Sequence, residues 1–466
     1  MAITTYDWEA PPSGGVSPFV GLYDSSYTGS IEWSAEVEYY GVIGEEWLSL
    51  SDTAGFTPFE FTMTATPHRR YFHRYARVIV TPSGIDDPPD TILVEQNIMF
   101  EPPVNYSVGS EPVCVVSADV NGDNHLDLVT ANEMSNDVSV LIGSGNGSFV
   151  TAVNYNVGEG PSCVFASDLN DDGDIDLVTA DVSSETFSVL FNNHNGTFQS
   201  AVSYAVEGIR SVIAADFDWD GDNDLAVTAN QPESFPLYDG KVSIWFNDGG
   251  GNFQQGDSLY GDMVVFAVGH DFDDNAAPNS TYADLALISS KPMDNIQVLL
   301  HNGGGDFQTS GTYSVGDYPR AAFARDVEND GDVDHAVINA SYCSVLRNNG
   351  DGTFQDPEDY LVEAGTYSVG AGDFDRDYYH DLVIADYVHD CLVVLMNRGD
   401  GTFSDFADRD YYPVGDLSTF TFGEKGAADG PRSICIADFN GDGDSDIAVA
   451  NSLSGTVSVL SNNWAR

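Results

Sequence analysis

Short apolar runs separated by acidic or glycine-rich turns recur along most of the chain. The runs are rich in Val, Leu, Ile and Thr, as in LDLVTAN, IDLVTAD and VSVLIG, and Gly, Asn or Asp bounds each of them. Short β-branched segments between such turns are typical of β-strands. No run approaches the ~18 apolar residues that a membrane-spanning helix needs. The pattern therefore predicts an all-β fold without membrane insertion.

One acidic pattern, D-x-[NDE]-x-[DN] followed by a closing Asp, occurs seven times. Its copies begin at Asp119, Asp168, Asp216, Asp271, Asp326, Asp373 and Asp438. The copies start 47 to 65 residues apart, and each is followed by two apolar runs, a Gly-rich turn that ends in Phe, and a further run. Four strands at this period are typical of one propeller blade. The sequence therefore predicts a seven-bladed β-propeller over residues 98–466.

The two ends of this repeat region complement each other. The chain ends just after a third-strand run, VSVLSNNWAR, so the seventh repeat lacks its fourth strand. The segment NIMFEPPVNYSVG, ahead of the first acidic loop, aligns with GSFVTAVNYNVG in the first repeat. We therefore expect residues 100–108 to supply the outer strand of the last blade. Such closure leaves no free strand edge at the seam.

The spacing of the acidic loops suits Ca²⁺. Oxygen side chains stand at loop positions 1, 3, 5 and 9, and a backbone carbonyl is expected at position 7, which matches the six to eight oxygens that calcium takes. We expect up to seven calcium ions. The candidate ligand residues are Asp119, Asn121, Asp123, His125 and Asp127; Asp168, Asn170, Asp172, Asp174 and Asp176; Asp216, Asp218, Asp220, Asp222 and Asp224; Asp271, Asp273, Asn275 and Asp284; Asp326, Glu328, Asp330, Asp332 and Asp334; Asp373, Asp375, Asp377, Tyr379 and Asp381; and Asp438, Asn440, Asp442, Asp444 and Asp446.

A simpler interpretation of any one loop is a solvated turn, because Asp and Asn also favour turns. Seven copies in phase favour calcium. The fourth loop departs from the others, because Asp284 follows Asp271 only after a five-residue insertion. Asn121, Glu328 and Tyr379 are smaller departures in the first, fifth and sixth loops.

The charge of the chain limits its partners. The sequence holds 16 Lys+Arg against 74 Asp+Glu, a formal net charge of −58. Such a charge repels phosphate backbones and anionic lipid, so nucleic acid is not an expected partner. The same negative charge attracts cations. The excess of acidic residues outside the loops is also typical of a protein from a saline habitat.

In each repeat, the order of acidic loop, strands and glycine-rich turn resembles that of FG-GAP/VCBS-type repeats, the calcium-loop blades of integrin-α-like propellers. The resemblance covers roughly residues 100–466. It implies a seven-bladed propeller in which calcium rigidifies the loops, at an extracellular or cell-surface location. It does not identify a ligand.

The region ahead of the propeller reads as alternating strands and turns, typical of a small Ig-like β-sandwich at residues 30–97. Trp33, Trp47 with Leu48, Gly55 and the segments RVI and ILVEQ resemble the BACON domain, a module named for presumed carbohydrate binding. Core packing is the preferred role for both tryptophans. Residues 1–29 are more apolar than a free tail usually is, so we expect them to pack on their own domain or to add a strand to a neighbouring copy.

Arginines mark a second candidate site. The residue six positions ahead of each loop is expected at the mouth of the central channel. Three of these seven positions hold arginine and one holds tyrosine. A guanidinium suits a carboxylate ligand such as an acidic sugar or an Asp side chain. The alternative, in which each Arg pairs with carboxylates of adjacent blades, is favoured by so acidic a chain. The candidate ligand-binding residues are Arg210, Arg320, Tyr367 and Arg432, with Phe235 and Tyr238 in a long loop of the same face.

Five N-x-[ST] sequons are candidate glycosylation sites, although Asn-Gly-Thr is also favourable turn chemistry. They lie at Asn105, Asn146, Asn195, Asn279 and Asn339.

These features rank three function classes. The leading one is a non-catalytic module that binds or adheres to a glycan or protein ligand. The first alternative is a structural protomer of an extracellular filament or surface layer, assembled from copies of itself through the N-terminal segment. The second alternative is a polysaccharide-active lyase or hydrolase. No H-E-x-x-H or phosphate-loop motif occurs, and 16 basic residues offer little of the basic cleft that an acidic polysaccharide needs. We therefore expect no enzymatic activity.

Overall fold

The structure is a computed structural model. It describes residues 99–230, 240–261, 264–273, 283–290, 293–301, 306–362, 365–404, 410–415 and 429–462, together with eleven strands that precede residue 97. Two compact units are present, one of Met1–Glu101 with Asn463–Arg466 and one of Pro102–Asn462. Among the described residues, no helix is long and apolar enough to cross a membrane.

The first unit contains three small sheets. Their strand orders are β1-β4-β8, β2-β11-β10-β5-β7 and β3-β9-β6. The strands are β1 (Ala2–Ile3), β2 (Trp8–Ala10), β3 (Gly15–Val16), β4 (Val20–Tyr23), β5 (Glu32–Tyr40), β6 (Leu48–Leu50), β7 (Ala54–Phe56), β8 (Phe59–Phe61), β9 (Met63–Ala65), β10 (Arg74–Pro82) and β11 (Asp90–Gln96).

Four of these strands lie within residues 1–29, and they pair inside the chain. β2 runs parallel to β11, with Trp8 opposite Val94, and β3 and β4 pair antiparallel with β9 and β8. The BACON-like identity of this unit and its boundaries stay predictions.

The second unit is a propeller of seven four-stranded antiparallel sheets, as the sequence predicted. We call the strands of each blade A to D in sheet order. The blades are β13 (Pro112–Ala118), β14 (Asp127–Asn132), β15 (Asp137–Leu141), β16 (Val153–Asn156); β17 (Pro161–Ser167), β18 (Asp176–Asp181), β19 (Thr186–Leu190), β20 (Val202–Ala205); β21 (Ile209–Ala215), β22 (Asp224–Asn230), β23 (Gly240–Asn247), β24 (Phe253–Gly261); β25 (Val264–His270), β26 (Asp284–Ser289), β27 (Asn295–His301), β28 (Phe307–Ser314); β29 (Ala321–Arg325), β30 (Asp334–Ile338), β31 (Tyr342–Leu346), β32 (Glu358–Leu361); β33 (Thr366–Gly372), β34 (Asp381–Asp386), β35 (Cys391–Leu395), β36 (Asp410–Pro413); and β37 (Pro431–Ala437), β38 (Asp446–Asn451), β39 (Thr456–Leu460), with β12 (Val104–Ser107).

The last blade joins the two ends of the propeller sequence. β12 pairs antiparallel with β39, and Val104 lies opposite Val459. The A strands contact one another in succession around the ring, including the first and last, β13 and β37. The A strands therefore form the inner wall of a closed ring.

The core lies between neighbouring blades. Strands B and C are buried along nearly their whole length. One cluster joins Val115, Leu128 and Phe149 of the first blade to Phe439 and Val457 of the last. Burying both faces of each sheet favours the continuous apolar runs seen in the sequence. Because the strands alternate in direction, the A–B loops and C–D turns share one face of the ring, which we call the loop face.

Candidate functional site

Each acidic loop ends in an aspartate that begins strand B, and we call these seven residues the closing aspartates. They are Asp127, Asp176, Asp224, Asp284, Asp334, Asp381 and Asp446. All are buried, and each accepts two backbone N–H bonds. Asp381, for example, accepts from Phe374 N at 3.1 Å and from Asn397 N, just past strand C, at 2.8 Å. The same pair of contacts recurs in the other six blades. The closing aspartates therefore fasten each loop to its own sheet.

The first aspartate of each fully described loop gathers backbone N–H groups from the turn that follows. Asp438 Oδ1 accepts from Gly441 N at 2.7 Å, and its Oδ2 accepts from Gly443 N at 2.9 Å. Positions four and six have positive φ in these loops, as in Gly443 at 91°. Glycine adopts such a backbone at little cost, which explains its place at position six in four loops.

Carboxylates crowd together in several loops, and these clusters could hold metal ions. Their oxygens lie within 4.8 Å of one another in three groups, namely Asp216 with Asp218 and Asp224, Asp271 with Asp273 and Asp284, and Asp373 with Asp375 and Asp377. A fourth group joins Asp172 and Asp174 to His194. The inserted fourth loop is thus among those that assemble a cluster. The loops at Asp119, Asp326 and Asp438 form no such group among the described residues.

The side chains in these loops fit calcium better than a softer ion. Apart from His125 and Tyr379 at position seven, where a backbone carbonyl is expected to serve, the candidate ligands offer carboxylate or amide oxygens. The closing carboxylates keep lone pairs beyond the two N–H bonds that they accept. In the fifth loop Glu328 also faces Arg347 Nε at 3.1 Å, so that carboxylate is shared with a cation of the chain.

Burial raises the pKa of the closing aspartates, and neighbouring loop carboxylates add to the effect. The pKa of Asp127, Asp176, Asp284 and Asp446 rises to about 6, and that of Asp224 and Asp334 rises to about 7. Burial also raises the pKa of Asp381 well above its usual range. Buried, crowded carboxylates are costly as anions unless a cation compensates them.

A ring of side-chain amides links successive loops, and sequence reasoning missed it. Asn397 Nδ2 donates to Val327 O in the fifth loop at 2.7 Å and to His380 O in the sixth at 2.9 Å. The equivalent asparagines are Asn192, Asn247, Asn348 and Asn462. His301 takes this place in the fourth blade by bonding the carbonyl of Phe217, and Gly147 N bonds Phe439 O in the first. The signal was present as the Asn at or just past the end of strand C in VLFN, IWFN, VLRN, VLMN and VLSN.

On the opposite face, at the start of the A strands, two of the three predicted arginines meet the predicted tyrosine. We call Arg320, Tyr367, Tyr387, Arg432 and Glu133 the mouth cluster. The guanidinium carbon of Arg320 lies 4.3 Å from the centroid of the Tyr367 ring, and that of Arg432 lies 5.5 Å from it. The Tyr387 ring centroid is 5.1 Å from that of Tyr367. Sequence reasoning found three of these five residues.

The arginines of the mouth differ in their partners. Arg432 pairs with Glu133 of the first blade at 3.2 Å, as the carboxylate-pairing alternative expected. Arg320 donates to Thr366 O at 3.4 Å, and no carboxylate partner for it appears among the described residues. Arg210 is exposed at the start of β21, in the third blade, and its carbonyl accepts from Ser162 Oγ at 2.7 Å. Phe235 and Tyr238 lie outside the described residues, as does the predicted calcium ligand Asn275.

The sequons occupy unlike environments. Asn146 and Asn195 are exposed in their turns. Asn105 bonds across to Gly415 O at 2.6 Å. Asn339 is fully buried and its amide donates to Ser344 Oγ, so in this fold its nitrogen offers no space for a glycan. Asn279 lies outside the described residues.

Comparison with solved structures gives distant likenesses. A lectin from Agrocybe aegerita, described with its specific recognition of non-reducing terminal N-acetylglucosamine, is 16% identical with a TM-score of 0.46, over 83% of this chain and 96% of that one. A functionally unknown protein from Desulfotomaculum acetoxidans is 10% identical with a TM-score of 0.42, over 72% and 96%. The extracellular domain of a hybrid two-component system from B. thetaiotaomicron is 12% identical with a TM-score of 0.45, over 77% and 42%. Curated proteins give no significant sequence match.

The family comparison agrees with the repeats. The model of the FG-GAP-like repeat matches residues 119–179, 168–227, 326–384 and 373–449, which together span half of the chain. Each match begins at the first aspartate of an acidic loop and ends in a B strand. Each match thus runs from one acidic loop through the next, and the chain belongs to the FG-GAP-like repeat family.

Proposed function

We propose that this chain is a non-catalytic, calcium-stabilised propeller of the cell surface or extracellular space that binds a glycan or protein ligand at the mouth cluster. The observation that carries the proposal is Arg320, which faces an aromatic ring and, among the residues that the structure describes, no carboxylate, in a chain with a net charge of −58. So acidic a surface would supply a carboxylate partner if charge pairing were the only role of this arginine.

Calcium is proposed for the acidic loops. The support is the oxygen donor set, the crowding of carboxylates within 4.8 Å, and the burial of the closing aspartates. When bound, the ion supplies positive charge that removes the repulsion between these groups. The chain's own groups fix the loops beforehand, because backbone N–H donors hold the first and closing aspartates in place.

The mouth cluster suits a ligand that carries a carboxylate, such as an acidic sugar or an acidic peptide. A guanidinium has five N–H donors, and the bond to Thr366 O engages one nitrogen of Arg320. The ring contact is worth about 0.5–1 kcal/mol at an exposed site, which orients the guanidinium without consuming its other donors. Tyr367 and Tyr387 add half-buried ring faces beside it.

The ligand test uses the full chain on an array of neutral and acidic glycans and on immobilised acidic peptides, in excess calcium. Arg320→Ala is compared with Arg325→Ala, because the two exposed arginines stand at opposite ends of the same A strand. We expect a probe bound by the wild type to lose at least tenfold in affinity with Arg320→Ala and to be unaffected by Arg325→Ala. Equal binding by Arg320→Ala, with both variants folded, would refute the ligand role.

The calcium test measures bound metal and thermal unfolding independently of any ligand. Equilibrium dialysis with ⁴⁵Ca should show several ions per chain, and a chelator should lower the melting temperature. The calcium role is contradicted if the chain binds no calcium, or if the chelator leaves its melting temperature unchanged. Either result leaves the ligand test intact.

A further inference from the structure

The second blade differs from the others at one position of its C–D turn. The equivalent residues in blades one to six are Gly145, His194, Gly249, Gly303, Gly350 and Gly399. The described ones all have positive φ, between 64° for His194 and 82° for Gly399. A side chain at this backbone conformation is uncommon, so His194 stands where the other repeats place glycine.

The geometry of the turn determines what a side chain at this position meets. A Cβ added at Gly249 would lie 2.6 Å from Asp222 Oδ2, and one at Gly350 would lie 2.7 Å from Asp332 Oδ2. In both blades the near neighbour is the residue at loop position seven. The second blade is the case where a real side chain is present, and there the imidazole of His194 meets Asp174 at position seven in direct contact.

A second carboxylate completes the group. Asp172 Oδ2 lies 3.9 Å from His194 Nδ1, while its Oδ1 accepts the backbone N–H of Asp174 at 3.0 Å. One atom from each of the three side chains lies within 4.8 Å of the other two. The imidazole is 65% exposed, so an ion reaches it from solvent.

We propose that His194, Asp174 and Asp172 form a site for a divalent transition ion such as Zn²⁺, distinct in kind from the oxygen-only loops. Zinc takes both imidazole nitrogen and carboxylate oxygen ligands, and a site with three protein ligands leaves a fourth position open to water. Calcium takes oxygen ligands, so the imidazole contributes nothing to the calcium proposed for this loop. Asp172 and Asp174 are also candidate calcium ligands, so zinc and calcium would share these two carboxylates when both are bound.

The test titrates ZnCl₂ into the full chain by calorimetry in saturating calcium. His194→Gly restores the residue of the other repeats and relieves the backbone, so it tests the ligand without endangering the fold. Asp174→Asn removes a second ligand, and His270→Ala removes an exposed imidazole at the end of β25 as a matched control. Cobalt(II) bound in place of zinc gives visible d–d bands, and their position and intensity should change when His194→Gly removes the imidazole ligand.

We expect the wild type and His270→Ala to bind one zinc ion that His194→Gly and Asp174→Asn bind at least tenfold more weakly. The calcium-dependent rise in melting temperature should be unchanged in His194→Gly. The proposal is overturned if His194→Gly binds zinc as the wild type does, or if saturating calcium abolishes the zinc binding. It is equally overturned if the wild type binds no zinc, which would leave the group a simple imidazolium–carboxylate pair.

Discussion

His335 offers a sharp test of how the repeats are packed. It follows the closing aspartate of the fifth blade, and its side chain is completely buried; within the described part of the chain, neither ring nitrogen has a hydrogen-bond partner. Its ring lies 4.7 Å from Phe272 and 4.8 Å from Phe354, centroid to centroid. The equivalent residues are Leu128, Leu177, Leu225, Leu285, Leu382 and Ile447. An imidazole therefore occupies a site that the fold otherwise fills with an aliphatic side chain.

We expect His335→Leu to raise the free energy of unfolding. Leaving a buried polar group without a partner costs about 1–3 kcal/mol, and a leucine of similar size removes that cost. An unfolding entropy of about 2.1 cal/mol/K per residue over roughly 360 propeller residues then gives a rise of about 1–4 °C in melting temperature. Urea unfolding in saturating calcium measures the free energy directly.

The pH dependence separates polarity from shape. Burial lowers the pKa of His335 to about 3 from 6.5, so the unfolded chain takes up a proton below pH 6.5 that the folded protein refuses. Stability is therefore lost as the pH falls, and at pH 5 the loss is about 2 kcal/mol relative to pH 7. His335→Leu should lack this component. The reciprocal control, Leu382→His, should lose stability and acquire the same acid sensitivity. A His335→Leu protein no more stable than the wild type, with an unchanged pH profile, would refute the reasoning.

Three further predictions concern the loops. Asn397→Ala leaves the carbonyls of Val327 and His380 without their donor, so unfolding in urea should show a loss of about 2–3 kcal/mol; a loss below 0.5 kcal/mol would deny the amide link its role. Tyr378, 79% exposed at a φ of 74°, stands where four loops have glycine, so Tyr378→Gly should raise stability by about 1 kcal/mol, and a calorimetric scan that shows a decrease would contradict the strain. In chelator, and in the His335→Leu background, stability should fall as the pH rises through 6 to 7, because the folded-state pKa of the closing aspartates is raised; a scan that rises over this range contradicts that sign.

The blade count was predictable because it rests on a local signal repeated seven times. Each acidic loop carries its own turn chemistry, and each B strand begins at the closing aspartate, so a pattern in sequence becomes a boundary in structure. The strand that pairs with β39 could also be predicted from the sequence, because the segment before Asp119 resembles the fourth strand of a repeat. Pairing over more than 300 residues followed from comparing repeats and not from local propensity.

The contacts between blades were not predictable in the same way. The asparagine after strand C looks like ordinary turn chemistry until the fold places its amide beside the preceding loop. Likewise the His194 imidazole is 20 residues from Asp174 in sequence, and only the shared face brings them together. Counting back from each loop located the mouth arginines, but the count could not show which of them pairs with a carboxylate. Arg432 pairs with Glu133, whereas Arg320 donates to a backbone carbonyl.

The amide links bear on how calcium would stabilise the propeller. Asn348 joins the carbonyl of Phe272 in one loop to that of Val333 in the next, and its backbone N–H binds the closing aspartate Asp334. One residue thus couples a closing carboxylate to two successive loops, and four other asparagines, His301 and the Gly147 amide extend such contacts around the ring. A loop whose carboxylates repel one another strains its own hydrogen bonds and those of its neighbour. Because the chain of contacts closes on itself, we expect an ion bound in one blade to stabilise the next, and the loops to contribute to stability as a connected set and not as seven independent sites.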